Sequence, residues 1–312
     1  MAVTSVNSPS DIYYVPEQSK LPIFASMGLA SSVIGLALIL NGHSAGTMVL
    51  MCGFTVFAFV LWCWFQAVIT ENLAGLNNDQ LKSSYVWGMG WFIFSEVMFF
   101  AAFFGTLFYV RNFAVPWLAG DGTHDNFTNS ILWPGFEHTW PLMQTPDSAV
   151  NGDAAAMQGP DQNMGLSSAG SIWGWLPFWN TVVLLTSSIT VHMAHTALKF
   201  GHRKPFYLWL GATVVLGVVF LILQAEEYIE AYHHMGLTLS SGIYGATFFM
   251  LTGFHGAHVF LGTFMLLVMF LRATLKNHFD ANNCFGFEAA SWYWHFVDVV
   301  WLCLFIFVYV LA

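Results

Sequence analysis

The sequence predicts an all-α, polytopic membrane protein with seven transmembrane helices. The first observation behind this fold class is composition, since 57% of the 312 residues are hydrophobic and only 8% are charged. Soluble globular domains carry about 25% charged residues. The second observation is a mean hydropathy of +0.62. The third is the recurrence of apolar segments of about 20 residues, the length at which a helix crosses a bilayer.

The first 84 residues are predicted to hold two of the spans. Residues 1–20 include Asp11 and two prolines but no apolar run, so they are predicted to be an N-terminal cytoplasmic segment and not a cleaved signal peptide. Residues 21–70 contain no Asp, Glu, Lys or Arg, and a polar turn at 41–44 divides them into two helices. We expect this two-helix membrane unit to be followed by an inner loop, 71–84.

Residues 85–312 are predicted to form a five-helix membrane bundle. The five apolar segments lie at about 85–110, 172–199, 205–227, 239–271 and 287–312. Residues 111–170 interrupt them with six acidic side chains and several Pro and Gly residues. Such a polar stretch cannot lie in hydrocarbon, so 111–170 is predicted to be an outer, acidic insertion.

The distribution of Lys and Arg predicts the orientation. Seven of the eight basic side chains fall on one side of the predicted spans, namely Lys20, Lys82, Lys199, Arg203, Lys204, Arg272 and Lys276. Only Arg111 falls on the other side. Because basic residues stay on the cytoplasmic side, we expect a cytoplasmic N-terminus and a periplasmic C-terminus. The net charge of -9 argues against a nucleic-acid partner.

Glu96 is the most informative single residue, because it lies in the middle of the apolar third span. An ionisable side chain at this depth is a functional hypothesis by default. Its apolar neighbours favour the neutral, protonated form. Two interpretations stay open: a proton-exchanging or lipid-facing acid, and a structural acid that is hydrogen-bonded to a neighbouring helix.

Several histidines are candidate buried partners. His255 and His258 are three residues apart in the sixth span, and His192 and His195 have the same spacing in the fourth. This spacing could present two imidazoles to one metal ion or haem, but hydrogen bonds between helices explain it better. In the seventh span, His295 is the first candidate partner for the intramembrane Asp298, because residues three apart share a helix face.

Two charged clusters lie at the predicted ends of helices. Glu226, Glu227 and Glu230 end the fifth span, where they could hold a cation or form a solvated helix end. Arg272, Lys276 and His278 follow the sixth span. Basic residues at that interface attract anionic lipid headgroups, although they could also serve only to set the topology.

Four motifs in this order resemble subunit III of cytochrome c oxidase. They are SEVMFF at 95–100, QAEEY at 224–228, SGIYGATFFMLTGFHGAHV at 241–259 and FGFEAASWYWHFVDVVW at 285–301. The resemblance covers 11–312 apart from the insertion. The N-terminal YYVPEQSK and the large insertion resemble the proteobacterial form of the family more than the mitochondrial form.

The resemblance implies a 2+5 arrangement of the helices, with a lipid-holding cleft that contains structural phospholipids. It implies that this chain has no catalytic residue, no metal and no redox centre of its own. Haem and copper would lie in oxidase subunits I and II, with subunit I as the main contact and further small subunits as additional partners. The complex would pass electrons from cytochrome c to oxygen while pumping protons, and this subunit would support proton uptake.

The resemblance also assigns individual residues. Glu96 matches a buried carboxylate that reacts with carbodiimides, and Arg272, Lys276 and His278 match lipid-headgroup contacts. Glu71 and Trp64, near the inner end of the second span, complete the predicted lipid contacts. The implied location is a bacterial inner membrane.

Three rival functions stay open. The first is subunit III of a quinol oxidase, since this subunit does not touch the electron donor. The second is an independent seven-helix transporter, which the lack of an obvious internal repeat disfavours. The third is a protein that binds haem or metal through its histidine pairs.

Overall fold

The computed structural model describes residues 18–76, 79–121, 127–280 and 284–312. Seven helices in these ranges are long and apolar enough to cross a membrane. They are α1 Leu21–Leu40, α2 Gly46–Leu73, α3 Asp79–Leu118, α4 Leu176–Lys199, α5 Arg203–His234, α6 Gly242–Lys276 and α7 Phe285–Val310. The seven-helix, all-α fold class is therefore confirmed, and the chain is a multi-pass membrane protein. Most of the predicted N-terminal segment, 1–17, lies outside the described residues.

Most of the helices are longer than their apolar segments predict. The fifth span was expected to end at 227, but α5 continues to His234; α6 continues to Lys276, and α3 runs from Asp79 to Leu118. Hydropathy marks only the part of a helix that lies in hydrocarbon. Polar residues with good helix propensity extend it into the interface. For the same reason, the ends of α2 and α3 occupy most of the predicted inner loop, 71–84.

Helix ends follow from local chemistry. Asn277 ends α6 with a left-handed backbone (φ 50°), and its N–H donates to the Ala273 carbonyl. Asn is among the few residues that adopt this conformation readily, so it is a common helix terminator. Proline lies in the first turn of α1 and of α4, where its missing N–H costs no hydrogen bond.

The chain separates into two compact units, Met1–Gly88 and Met89–Ala312. In the first unit, α1 and α2 pack through glycines. A Cβ on Gly28 would lie 2.8 Å from the Phe57 nitrogen, one on Gly46 would lie 2.6 Å from the Ile39 nitrogen, and one on Gly35 would overlap the Leu50 nitrogen. Small residues of this kind let two membrane helices approach backbone to backbone. The bulky side chains of both helices consequently point outward.

In the second unit, α7 is the most buried helix. Tyr293, Trp294 and Trp301 are at most 1% exposed. The Trp294 indole N–H donates to the Ser187 hydroxyl at 3.0 Å, and the Trp301 indole N–H donates to the Thr181 hydroxyl at 3.0 Å. Both bonds join α7 to α4 and satisfy polar atoms that have no access to water. The aromatic side chains of α7 thus lie at the centre of this unit.

The acidic insertion packs on the C-terminal ends of α5 and α7. Its main chain makes two of the contacts: the Leu166 N–H donates to the Tyr309 carbonyl at 2.9 Å, and the Asp161 N–H donates to the Met235 carbonyl at 2.9 Å. Side chains add others, such as the Trp140 ring against Tyr244. Within the insertion, a short helix, Pro146–Asn151, begins at a capping box between Thr145 and Ser148, which satisfies its first N–H groups.

Candidate functional site

Glu96 on α3 and His258 on α6 lie side by side. The distance from Glu96 Oε2 to His258 Nε2 is 2.9 Å. The Glu96 side chain is 24% exposed and the His258 side chain 15% exposed, so the pair is half-buried at the surface of the second unit. Phe99 and Phe100 contact the imidazole ring. The structure therefore joins two ionisable groups that both lie within membrane-spanning helices.

The hydrogen bonds of His258 constrain the protons of this pair. Nδ1 lies 2.6 Å from the Phe254 carbonyl, and a carbonyl can only accept, so Nδ1 carries a proton. Nε2 then meets Glu96 either as the acceptor of a carboxylic acid proton or as the donor of an imidazolium. In both cases a single proton lies between Nε2 and Oε2, and the pair has no net charge.

His255 faces a different part of the bundle. It is completely buried, and its Nε2 lies 3.2 Å from the Val297 carbonyl on α7. His195 on α4 likewise contacts Glu288 on α7, at 3.1 Å, while His192 is exposed. Neither pair of histidines converges, and no three His, Cys, Asp or Glu side chains in the described ranges form a group that could hold a metal ion.

His295 and Asp298 on α7 are close but not directly hydrogen-bonded. His295 Nδ1 lies 3.7 Å from Asp298 Oδ2 and 2.9 Å from the Ser188 hydroxyl on α4. Asp298 is buried, as predicted, with 4% exposure. The prediction that His295 is also buried is wrong, because its side chain is 40% exposed. The ring lies at the edge of the α4–α7 contact, where the Ser188 hydroxyl is hydrogen-bonded to Nδ1 of His295.

Glu288 was named in the motif but was not predicted as a site residue. Its Oε1 lies 3.1 Å from His195 Nε2 and 3.3 Å from Lys199 Nζ, so it ties the ends of α4 and α7 together. Cys284 precedes α7 beside this cluster. Burial, and then the Glu288 charge, raises the pKa of the Cys284 thiol to about 11, which keeps the thiol protonated at neutral pH.

Glu227 on α5 differs most from its prediction. It was taken together with Glu226 and Glu230 as a cation site or a solvated helix end, but it is 0% exposed. Tyr309 donates to its Oε1 at 2.6 Å and Asn180 donates to its Oε2 at 3.2 Å. The buried stripe 220, 224, 227 and 231 on α5 has helical spacing. That spacing in the sequence was the signal that could have separated Glu227 from its exposed neighbours.

Arg272 and Lys276 lie near the C-terminal end of α6, and His278 follows it. The Arg272 guanidinium lies over the Phe279 ring at 4.9 Å, and its Nε is buried without a hydrogen-bond partner. The nearby acid, Asp280, pairs with Arg203 instead, at 2.9 Å. Burial, followed by the charges of Arg272 and Lys276, lowers the pKa of His278. The positive charge of the cluster therefore comes from Arg272 and Lys276, while the lowered pKa favours neutral His278.

The remaining predicted lipid contacts, Glu71 and Trp64, lie on α2 in the first unit, where Trp64 is 40% exposed. In the insertion, Asp121 pairs with His138 at 2.6 Å. Asp147 accepts hydrogen bonds from Asn151 and from the Ala156 N–H, each at 2.7 Å. Asp121 and Asp147 therefore stabilise the local structure of the insertion. Asp125, another acid of the predicted insertion, lies outside the described residues.

Comparisons with known proteins agree with this fold and these motifs. The family model described as "Cytochrome c oxidase subunit III" matches residues 11–117 and 171–312, which leaves most of the insertion outside the match. The curated relatives include "Cytochrome c oxidase subunit 3" of Raphicerus melanotis, which is 36% identical over 300 residues, covering 95% of this chain and 96% of the relative.

Proteins of the same name from Felis catus and Dugong dugon are each 35% identical over 298 residues, again covering 95% of this chain and 96% of the relative. The family match extends over far more than half of the residues, and it includes the helices that carry Glu96, Glu227, His258 and Asp298. The chain is therefore a member of the cytochrome c oxidase subunit III family.

Proposed function

We propose that this chain is a non-redox, lipid-holding subunit of a cytochrome c oxidase, and that it supports proton uptake by the complex. Haem and copper would be held by subunits I and II, with subunit I as the main contact. The histidines of this chain support the proposal, because His255 and His258 have separate partners, and His195 contacts Glu288 while His192 is exposed. Family membership supports assembly into an oxidoreductase complex.

The Glu96–His258 pair carries this proposal. Isolated charges are costly within membrane-spanning helices, and a carboxyl–imidazole pair that shares one proton avoids that cost while remaining able to exchange the proton. Its partial exposure leaves it accessible from the surroundings of the second unit. A carboxyl group of this kind, within a membrane-spanning helix and reachable from lipid, is also one that hydrophobic carbodiimides can approach.

A phospholipid phosphate is the proposed ligand of Arg272, Lys276 and His278. These groups carry more positive charge than the neighbouring acid can balance, since Asp280 is paired with Arg203. An anionic phosphate would offset the mutual repulsion of Arg272 and Lys276. We place Glu71 and Trp64 in the same lipid-holding role on the first unit.

The proposed location is the inner membrane of a bacterium. The N-terminal YYVPEQSK and the long insertion support it, although the relatives reported above are mammalian. Seven basic residues at one set of helix ends support a cytoplasmic N-terminus and a periplasmic C-terminus.

One preparation tests these assignments. A tagged chain is purified in mild detergent, and its haem, copper, phospholipid and co-purifying chains are measured. We expect haem and copper to depart with the catalytic subunits. Turnover with cytochrome c and not with quinol separates the two oxidase classes. A chain that is stable without partners would favour an independent transporter, and metal retained by the lone chain would contradict the non-redox role.

Two variants test the site residues in that complex. A fluorescent carbodiimide should label wild type and the control Glu226→Gln, but not Glu96→Gln. The double variant Arg272→Ala, Lys276→Ala should lose tightly bound phospholipid, whereas Lys204→Ala, a change of an exposed basic residue at the start of α5, should keep it. Unchanged labelling in Glu96→Gln or unchanged lipid content in the double variant would contradict the corresponding assignment.

A further inference from the structure

Glu227, like Glu96, is an acidic residue within a membrane-spanning helix of the second unit. Its side chain is more completely buried than that of Glu96. It lies on α5, and its two hydrogen-bond partners come from α4 and α7. Glu227, Asn180 and Tyr309 are each 0% exposed. An ionised carboxylate that is removed from water in this way is costly unless a cation pairs with it.

No such cation is present among the described residues, because Glu227 takes part in none of their ion pairs. The titratable groups that act on it or respond to it are Glu230, Tyr228, Tyr244 and Tyr309. Glu230 is another acid, and the tyrosines are neutral at physiological pH. The surroundings from α5, α6 and α7 therefore offer nothing that would neutralise a negative charge.

The hydrogen-bonding atoms around Glu227 leave room for one more proton. Tyr309 donates to Oε1, and Asn180 Nδ2 lies next to Oε2, while Asn180 Oδ1 has no hydrogen-bond partner. The two ends of an amide have nearly the same shape, so rotating Asn180 by half a turn places Oδ1 against Oε2. A protonated Oε2 can then donate to it. Gln224, 5% exposed, adds a buried amide whose two polar atoms also lack partners.

We propose that Glu227 is a proton-binding site, occupied in the resting complex, in which the carboxylic acid donates to Asn180 and accepts from Tyr309. The ligand is a proton, and the site is separate from the Glu96–His258 pair. It does not depend on the lipid-holding role. Because the three side chains are closed off from solvent, proton exchange at Glu227 requires the contact between α4, α5 and α7 to open.

Infrared difference spectroscopy on the purified complex tests the proposal. We expect the wild type minus Glu227→Gln spectrum to contain the C=O stretch of a protonated carboxylic acid at neutral pH. Glu226→Gln, which changes the exposed neighbour, should retain that band. In D₂O, the isotope shift of the Glu227 band should develop more slowly than that of the half-exposed Glu96. A difference spectrum with only ionised carboxylate stretches would overturn the proposal, as it would indicate a charged acid with a bound cation.

A second variant keeps the proposal testable if Glu227→Gln does not fold. Tyr309→Phe removes one donor and keeps the ring, so the C=O stretch should persist and shift to higher frequency. A band that is unaltered in Tyr309→Phe would also overturn the proposal, because the acid that gives rise to it would not be hydrogen-bonded to Tyr309.

Discussion

His258 illustrates how one side chain can fix the chemistry of a membrane site. Its Nδ1 bonds to the carbonyl of Phe254, four residues earlier on the same helix, so only Nε2 is free to meet Glu96. This bond within α6 therefore fixes the tautomer of His258, with the proton on Nδ1, independently of Glu96. A residue that offered only one polar atom could not reproduce both contacts.

Substitutions in this pair should have unequal effects. In Glu96→Gln the amide N–H can still donate to Nε2, so we expect a loss of stability below about 1 kcal/mol. In His258→Phe the carboxyl group loses its partner, and the expected loss is about 1–3 kcal/mol. Thermal unfolding of the detergent-solubilised complex measures both. Equal losses would mean that the ionised pair, and not the shared proton, stabilises the contact.

Asp147 gives a pH-dependent prediction at the same scale. Hydrogen bonds from Asn151 and then from the Ala156 N–H lower the pKa of this carboxyl group below its ordinary value. A lowered folded-state pKa stabilises the fold above the ordinary pKa, and the contribution is lost as pH falls through the folded-state pKa. Asp147→Asn should therefore make the insertion more sensitive to protease at neutral pH, and this difference from wild type should disappear in acid.

The control for that experiment is Asp153→Asn, which changes an exposed acid in the same segment. It should leave the protease resistance unchanged at every pH. If both variants behaved alike, net charge and not the hydrogen bonds of Asp147 would order the insertion.

At the scale of elements, the α1–α2 hairpin depends on glycine. Gly35→Ala would place a methyl group on the Leu50 backbone, and overpacking of this kind costs about 1–3 kcal/mol. Gly88→Ala, at a helix position with no neighbouring atom within 4 Å, should instead be neutral or stabilising because Ala favours helix. A disulfide cross-link between α1 and α2 should form more slowly in Gly35→Ala and at the wild-type rate in Gly88→Ala. Equal rates in the two variants would contradict this packing account.

The elements also show what the sequence could predict. Long apolar runs were enough to predict the seven helices, and the motif containing Glu96 was enough to place an ionisable residue within the third of them. Helix ends were less predictable, because α5 continues through Glu230 to His234, where charged and polar residues leave the hydrocarbon without breaking the helix. Glu227 was misjudged because three acids in one turn look alike until the buried stripe of α5 is known.

At the scale of the whole molecule, charge is unevenly distributed along the membrane normal predicted from the sequence. Lys199 and Arg203 are paired at one set of helix ends, and the acidic insertion lies at the other. This asymmetry leads to a topology prediction. In a background in which Cys52, Cys63, Cys284 and Cys303 are replaced by Ser, Ala156→Cys should react with a membrane-impermeant maleimide in intact spheroplasts.

His202→Cys is the matched position at the opposite ends of the helices, and it is also exposed. It should react only after the membrane is permeabilised. The reverse pattern would invert the proposed orientation, and labelling of both positions in intact spheroplasts would contradict the predicted span between them.

Peptide groups make two of the attachments of the insertion to the rest of the second unit, through Leu166 to Tyr309 and Asp161 to Met235, while the side chains of Phe136, Leu142 and Met164 are buried in the core. Every residue except proline supplies the same N–H, so these attachments place little demand on which amino acid occupies the position. The exposed residues of this segment can therefore change during evolution while its backbone attachments are kept. The family match omits residues 118–170, as expected for a segment whose sequence can vary in this way. The insertion is consequently the part of this chain most open to adaptation toward a new neighbour.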